Sequence, residues 1–193
     1  VSYADSTNPI VVTLNTNTVT IGGSVVHNLL NIENITGSSY GDEIIGNNDK
    51  NTLIGGAGND TLKGADGADV ISGGADNDTI YGGIGADNLD GGAGDDIFKI
   101  ESLSSELIGD YIDGGSGSET TKDTVDYSAI NDGVKIRLQG STASWVNVGA
   151  RTNDHRVINI ENVIGTSGND TIEGDTGNNT LDGGAGNADY ISF

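Results

Sequence analysis

A strict period of nine constrains this chain more than any other feature. From Gly37 to Lys99 it reads as seven unbroken nonapeptides: GSSYGDEII, GNNDKNTLI, GGAGNDTLK, GADGADVIS, GGADNDTIY, GGIGADNLD and GGAGDDIFK. Position one is always glycine, and position eight is always apolar: Ile44, Leu53, Leu62, Ile71, Ile80, Leu89 and Phe98. Position six is Asp42, Asn51, Asp60, Asp69, Asp78, Asp87 and Asp96. Self-similarity at a fixed short period belongs to stacked-repeat architectures, not to low-complexity disorder.

Each part of the nonapeptide has a physical reading. The glycine-rich first six residues form a turn, because glycine admits backbone conformations that a Cβ forbids and lets carbonyls approach a ligand. The x-U-x triplet that follows is a short strand whose alternation sends a single apolar residue inward. One unit cannot bury that residue, so units must stack, two nonapeptides to a coil with a turn at each end. Repeats two apart then share an edge, at a ladder spacing of about 4.8 Å. The turn carboxylates become two vertical rows of negative charge, which repel when bare and attract when hard cations lie between successive turns. The expected fold is all-β, a parallel β-roll (β-solenoid) with β-rich spacer or capping segments.

Charge gives the same picture. Asp and Glu number 29 against 8 Lys and Arg, for a formal net charge of -21, and 32 of the 193 residues are glycine. Such a chain is either disordered or folded around neutralising cations, and the period favours the second. Nucleic acid and anionic membrane surfaces are poor partners for it, since binding to phosphate relies on Lys and Arg. Cysteine is absent, so no disulfide framework replaces a core. No apolar stretch approaches the ~18 residues of a membrane helix. The start at Val1 has no signal-peptide pattern, so the sequence reads as an excised piece.

The repeats resemble the GGxGxDxUx pattern of the RTX (repeats-in-toxin) family, a calcium-binding family. The resemblance implies several Ca²⁺ ions, each between a turn and the turn two repeats on, held by glycine-position carbonyls and position-six carboxylates. Carried over, the ligating positions are Asp42, Gly55, Gly56, Gly58, Asp60, Gly64, Gly67, Asp69, Gly73, Gly74, Asp78, Gly82, Gly83, Gly85, Asp87, Gly91, Gly92, Gly94 and Asp96. The implied pairs are Asp42 with Asp60, Asp60 with Asp78 and Asp78 with Asp96 on one edge, and Asn51 with Asp69 and Asp69 with Asp87 on the other. Asn51 is neutral and Lys50 lies beside it, so the Asn51–Asp69 site is expected to be weakest or empty. Tyr40, Asp49 and Asp76 replace the second-half glycine of their turns and put the backbone geometry there in question.

Beyond Lys99 the frame slips. SELIGDYID from Ser105 restores position-six Asp110 and position-eight Ile112, and an enlarged turn leads to Asp123 and Val125, which are expected to close the first roll. A shorter array follows: GTSGNDTIE from Gly165, GDTGNNTLD from Gly174 and GGAGNADYISF from Gly183. There the resemblance implies a site using Asp170, Gly183, Gly184 and Asp189, with Ala188 inserted before the last. The flanking segments repeat as well, NIENITGSSYGD at the start against NIENVIGTSGND later, so a unit of about 125 residues is duplicated. The expected organisation is a β-rich spacer or cap over 1–36, a first roll over 37–127, a β-rich spacer over 128–164 and a second short array over 165–193. The ending ISF resembles the opening VSY, which suggests a fragment of a longer tandem array.

No catalytic constellation is present: His27 and His155 lie in the spacers without metal-protease spacing, and no nucleophile motif or phosphate loop occurs. The chain is therefore read as non-enzymatic. Trp145, the single tryptophan, either covers the end of a thin roll or stacks on a sugar. Arg137, Arg151 and Arg156 in the same spacer suit an acidic polysaccharide or merely balance the rolls. The expected role is a calcium-binding structural module of a secreted or surface bacterial protein, an adhesin or exoprotein, folding on Ca²⁺ binding outside the cell. The alternative is a carbohydrate-binding accessory module of a secreted enzyme, similar to those of alginate epimerases.

Overall fold

Apolar residues spaced by nine, each followed by a turn, place every second repeat in the same sheet. In the computed structural model, which describes residues 1–101, 109–115, 122–151 and 154–193, this happens with a register of 18. Leu53 pairs with Ile71 and Ile71 with Leu89 in one sheet, and Ile44 with Leu62 and Leu62 with Ile80 in the other, all in parallel. Five strands outrun the expected triplet: Thr52–Ala57, Thr61–Asp66, Val70–Ala75, Thr79–Ile84 and Asn88–Ala93 continue into the following turn. Gly56, Gly74 and Gly92 thus stack upon one another.

The described strands form two sheets of ten. The position-eight residues Ile44 to Phe98 are fully buried between them and belong to a single apolar core. That column does not end at Val125, which pairs with Phe98 on one side and Val163 on the other. Ile112 likewise lies between Leu89 and Val157. The repeat that begins at Ser105 and the enlarged turn before Asp123 fall partly outside the described residues.

The spacers enter the same sheets. Ile10–Thr13 stacks in parallel on Glu43–Ile45 and then turns back through Thr18–Ile21 and Ser24–Asn28 as an antiparallel meander. The second spacer repeats the device inside the stack. Val134–Arg137 lies parallel to Thr171–Glu173, Ser144–Val148 is antiparallel to it, and His155–Ile158 joins Tyr111–Asp113. Val134, Ile136 and Leu138 are buried while Lys135 and Arg137 face solvent, the alternation of a half-buried strand. No helix among the described residues is long and apolar enough to cross a membrane.

Candidate metal centres

The 18-residue register brings the position-six side chains into two rows, and backbone amides tie each row together. Asp42 N–H donates to Asp60 Oδ1 at 2.7 Å, Asp60 N–H to Asp78 Oδ1 at 2.8 Å and Asp78 N–H to Asp96 Oδ1 at 2.8 Å. On the other edge Asn51 N–H donates to Asp69 Oδ1 at 2.7 Å and Asp69 N–H to Asp87 Oδ1 at 2.8 Å. The same-edge neighbours are those the nonapeptide spacing pairs.

One oxygen of each carboxylate is left over. Oδ2 of Asp60, Asp69, Asp78, Asp87 and Asp96 is buried without a hydrogen-bond partner among the described residues. A buried, unpartnered carboxylate oxygen is costly unless a cation or a donor meets it. Burial, reinforced by neighbouring carboxylates, pushes Asp60, Asp78 and Asp87 up to about 7 and Asp96 up to about 6. Asp69 is also raised by burial. Asp126 shows the contrast: although it too is buried, Lys99 and Ser128 hold it below the usual carboxylate range.

Backbone oxygens complete the surroundings. A Cβ on Gly55 would fall 2.6 Å from the Gly73 carbonyl oxygen, and one on Gly73 would fall 2.7 Å from that of Gly91. The same Cβ atoms would fall closer still to Asp60 Oδ2 and Asp78 Oδ2, so the leftover carboxylate oxygen and a carbonyl from the turn two repeats away both crowd the first glycine of the turn. Gly56 and Gly74 hold φ of +123° and +122°, which an L-residue rarely adopts. Among the described residues no three His, Asp or Glu side chains converge. The donors gathered here are carboxylate and carbonyl oxygens, a set that suits Ca²⁺ better than soft metals. The turns carrying Asp60, Asp69, Asp78, Asp87 and Asp96 fit that ion.

The outer members of the rows differ. Asp42 Oδ1 accepts from Ile10 N–H and the Ser38 hydroxyl, and its Oδ2 accepts from Ser38 N–H. Asp170 repeats this with Val134 N–H, the Thr166 hydroxyl and Thr166 N–H. Both carboxylates are satisfied within the protein. Asn51 is fully buried, accepts from Asn47 N–H at 2.8 Å and donates to Asn47 Oδ1 at 3.1 Å, so its amide is complete without a cation. Despite the insertion of Ala188, Asp189 Oδ1 accepts from Asp170 N–H at 2.9 Å.

The turns that lack glycine adapt in two ways. Asp76 keeps the left-handed backbone, with φ of 73°, and its Oδ2 accepts from Gly58 N–H; Tyr40 and Asp49 do not take positive φ. Ala65, at position two of its turn, is held at φ 80°.

The rows run on past Asp87 and Asp96 to members that the unbroken nonapeptides do not contain, two of which, His155 and Glu161, the repeat frame does not mark. Asp110 Oδ1 accepts from Asp87 N–H, and Asp110 N–H in turn donates to His155 Nδ1. Asp123 Oδ1 accepts from Asp96 N–H, and Asp123 N–H donates to Glu161 Oε2. His155 and Glu161 thus stand where the next carboxylates would. Extending the nine-residue frame backwards from Gly165 would have found Glu161; no local signal marks His155. A second ladder at position five, Asn59 to Asn77 to Asp95, runs outside the first.

A family profile for the RTX calcium-binding nonapeptide repeat matches the chain in four copies, over residues 31–62, 63–98 and 160–188. No curated protein matches it.

Proposed function

Because the chain belongs to the RTX calcium-binding nonapeptide-repeat family, we propose that it is a non-catalytic module of a secreted or cell-surface bacterial protein, folded by calcium after export. The observation that carries this reading is the set of five buried Oδ2 atoms, at Asp60, Asp69, Asp78, Asp87 and Asp96, that nothing among the described residues satisfies. Asp42, Asp170 and Asp189 serve as row termini, and the glycine carbonyls supply the remaining ligands.

The energetics fit a switch. Extracellular calcium modules bind with Kd of about 10⁻⁴ to 10⁻³ M. At ~1 mM ion a site with Kd of ~10⁻⁴ M contributes RT ln(1 + 10), about 1.4 kcal/mol. Five sites then supply ~7 kcal/mol, as much as the whole stability of an ordinary domain. At the micromolar or lower free calcium of a cell interior the same expression gives almost nothing, while a formal charge of -21 still repels itself. Circular dichroism and hydrodynamic radius across a calcium titration test the proposal. The expected result, above neutral pH where the row carboxylates are ionised, is an expanded chain that compacts as calcium rises; a compact β-rich state persisting there in excess chelator would overturn it.

A further inference from the structure

The outer face of the second spacer carries a feature that calcium binding leaves unused. Ser144, Val146 and Val148 point into the core, so strand alternation sends Trp145 outward, where it is 52 % exposed. Beside it lies an open groove of about 260 Å³ lined by Lys135, Arg137, Trp145, Asn147, Thr171 and Glu173. Trp145 therefore flanks a concavity on the sheet face. The register fixes this grouping: Lys135 pairs with Asn147 on one side and Thr171 on the other, and Arg137 pairs with Glu173.

The polar groups are unevenly committed. Arg137 Nε is 3.1 Å from Glu173 Oε2, a pair that orients both side chains. Lys135 makes no ion pair among the described residues. On the neighbouring strand Arg156 pairs in register with Trp145 and lies over the Tyr111 ring at 5.4 Å. A protein with only 8 Lys and Arg thus gathers three of them around its one tryptophan. The acidic rows lie at the turns, away from this sheet face, and calcium in five sites would roughly halve the net negative charge.

We propose that this groove binds a carboxylated pyranose, a uronate residue of an acidic polysaccharide. Trp145 covers the apolar face of the ring, Lys135 pairs with the carboxylate, and Asn147, Thr171 and the Arg137–Glu173 pair hydrogen-bond the hydroxyls. A neutral sugar would leave the Lys135 ammonium without a counter-charge. A nucleic acid would need a row of cations along its phosphates, where the groove offers one uncommitted amine. The open shape suits a ring in the middle of a chain as well as at its end.

The single tryptophan makes the test direct, because its emission reports this groove alone. Calcium-saturated protein is titrated with a panel of short uronate oligosaccharides, with a neutral β-glucan oligosaccharide and with a single-stranded oligonucleotide. Calorimetry is run in parallel on Trp145→Ala and Lys135→Ala, both checked for folding by circular dichroism. The expected result is a change in emission with uronates alone. It should weaken toward ~0.3 M salt, and Lys135→Ala should lose affinity about tenfold. Uronates also take up free calcium, but that effect is equal in wild type and Lys135→Ala, so the difference between them isolates the groove. Equal affinity in wild type and variants, preference for the neutral glucan or the oligonucleotide, or no binding across the uronate panel would each overturn the proposal.

Discussion

Asp60 and Asp78 share one half of a carboxylate: the Asp60 amide donates to Asp78 Oδ1 at 2.8 Å, while Asp78 Oδ2 stays buried with no partner among the described residues. Each aspartate so placed holds the backbone of one coil to the next with one oxygen and offers the other to an ion. On the proposed assignment, structure and ligation are carried by the same side chain. Removing it should cost both.

That coupling separates Asp78 from Asn51. Asp78→Ala removes a free oxygen and orphans the Asp60 amide, whereas Asn51 is satisfied by Asn47 alone. Calorimetric calcium titrations should show Asp78→Ala losing at least one site and Asn51→Ala losing none, with a stability loss of about 1–3 kcal/mol from the unmade hydrogen bonds. Matching isotherms for the two variants would refute the assignment of the free oxygens to calcium.

The core offers a second check. Ile80 is fully buried between Leu62 and Phe98 in its sheet. A thin roll cannot relax around an unpaired charge, so Ile80→Asp should remain unfolded at saturating calcium. Circular dichroism decides the point, and a native spectrum would contradict the inward placement of position eight.

Ala65 is the strained member of the turn series, at φ 80° where its equivalents Gly56, Gly74 and Gly83 are glycines. Left-handed backbone costs an alanine roughly 1–2 kcal/mol, offset in part by the extra unfolded-state entropy of glycine, about 0.5–1 kcal/mol. Ala65→Gly should raise calcium-loaded stability by up to ~1 kcal/mol, and Ala65→Val should lower it. Thermal unfolding at fixed calcium measures both; a stabilising valine would show that the turn is not strained.

The sequence made legible what depends on period: the position-eight column, the two-sheet architecture, and the 18-residue spacing that aligns Asp42 with Asp60 and Asp69 with Asp87. It hid what depends on single atoms. A serine hydroxyl that closes Asp42 and an asparagine that closes Asn51 look like ordinary turn residues until their hydrogen bonds are seen. It also hid the continuity of the stack beyond the first roll, because Ile112 and Val157 are 45 residues apart and Val125 and Val163 are 38 apart. Loops of variable length break the period in sequence while the register survives in space, since the sheet requires only that an apolar residue arrive at the right level.

The raised carboxyls set a pH dependence that reverses with calcium. Without metal, burial holds Asp60, Asp78, Asp87 and Asp123 at about 7 and Asp96 at about 6, against an ordinary value of 3.8. Because the folded values are raised, the contribution of these five groups to metal-free stability is full below pH ~4, where they are protonated in both states, and is lost as pH rises through ~6–7. In excess chelator, residual β structure should therefore increase on acidification, opposite to ordinary acid denaturation. Calcium requires the ionised form, so binding must expel the protons these groups hold near neutrality. Apparent affinity should rise between pH ~6 and ~8, with proton release visible as a dependence of the calorimetric heat on buffer ionisation enthalpy. An affinity that does not change across that window would mean that the ions do not meet these carboxylates.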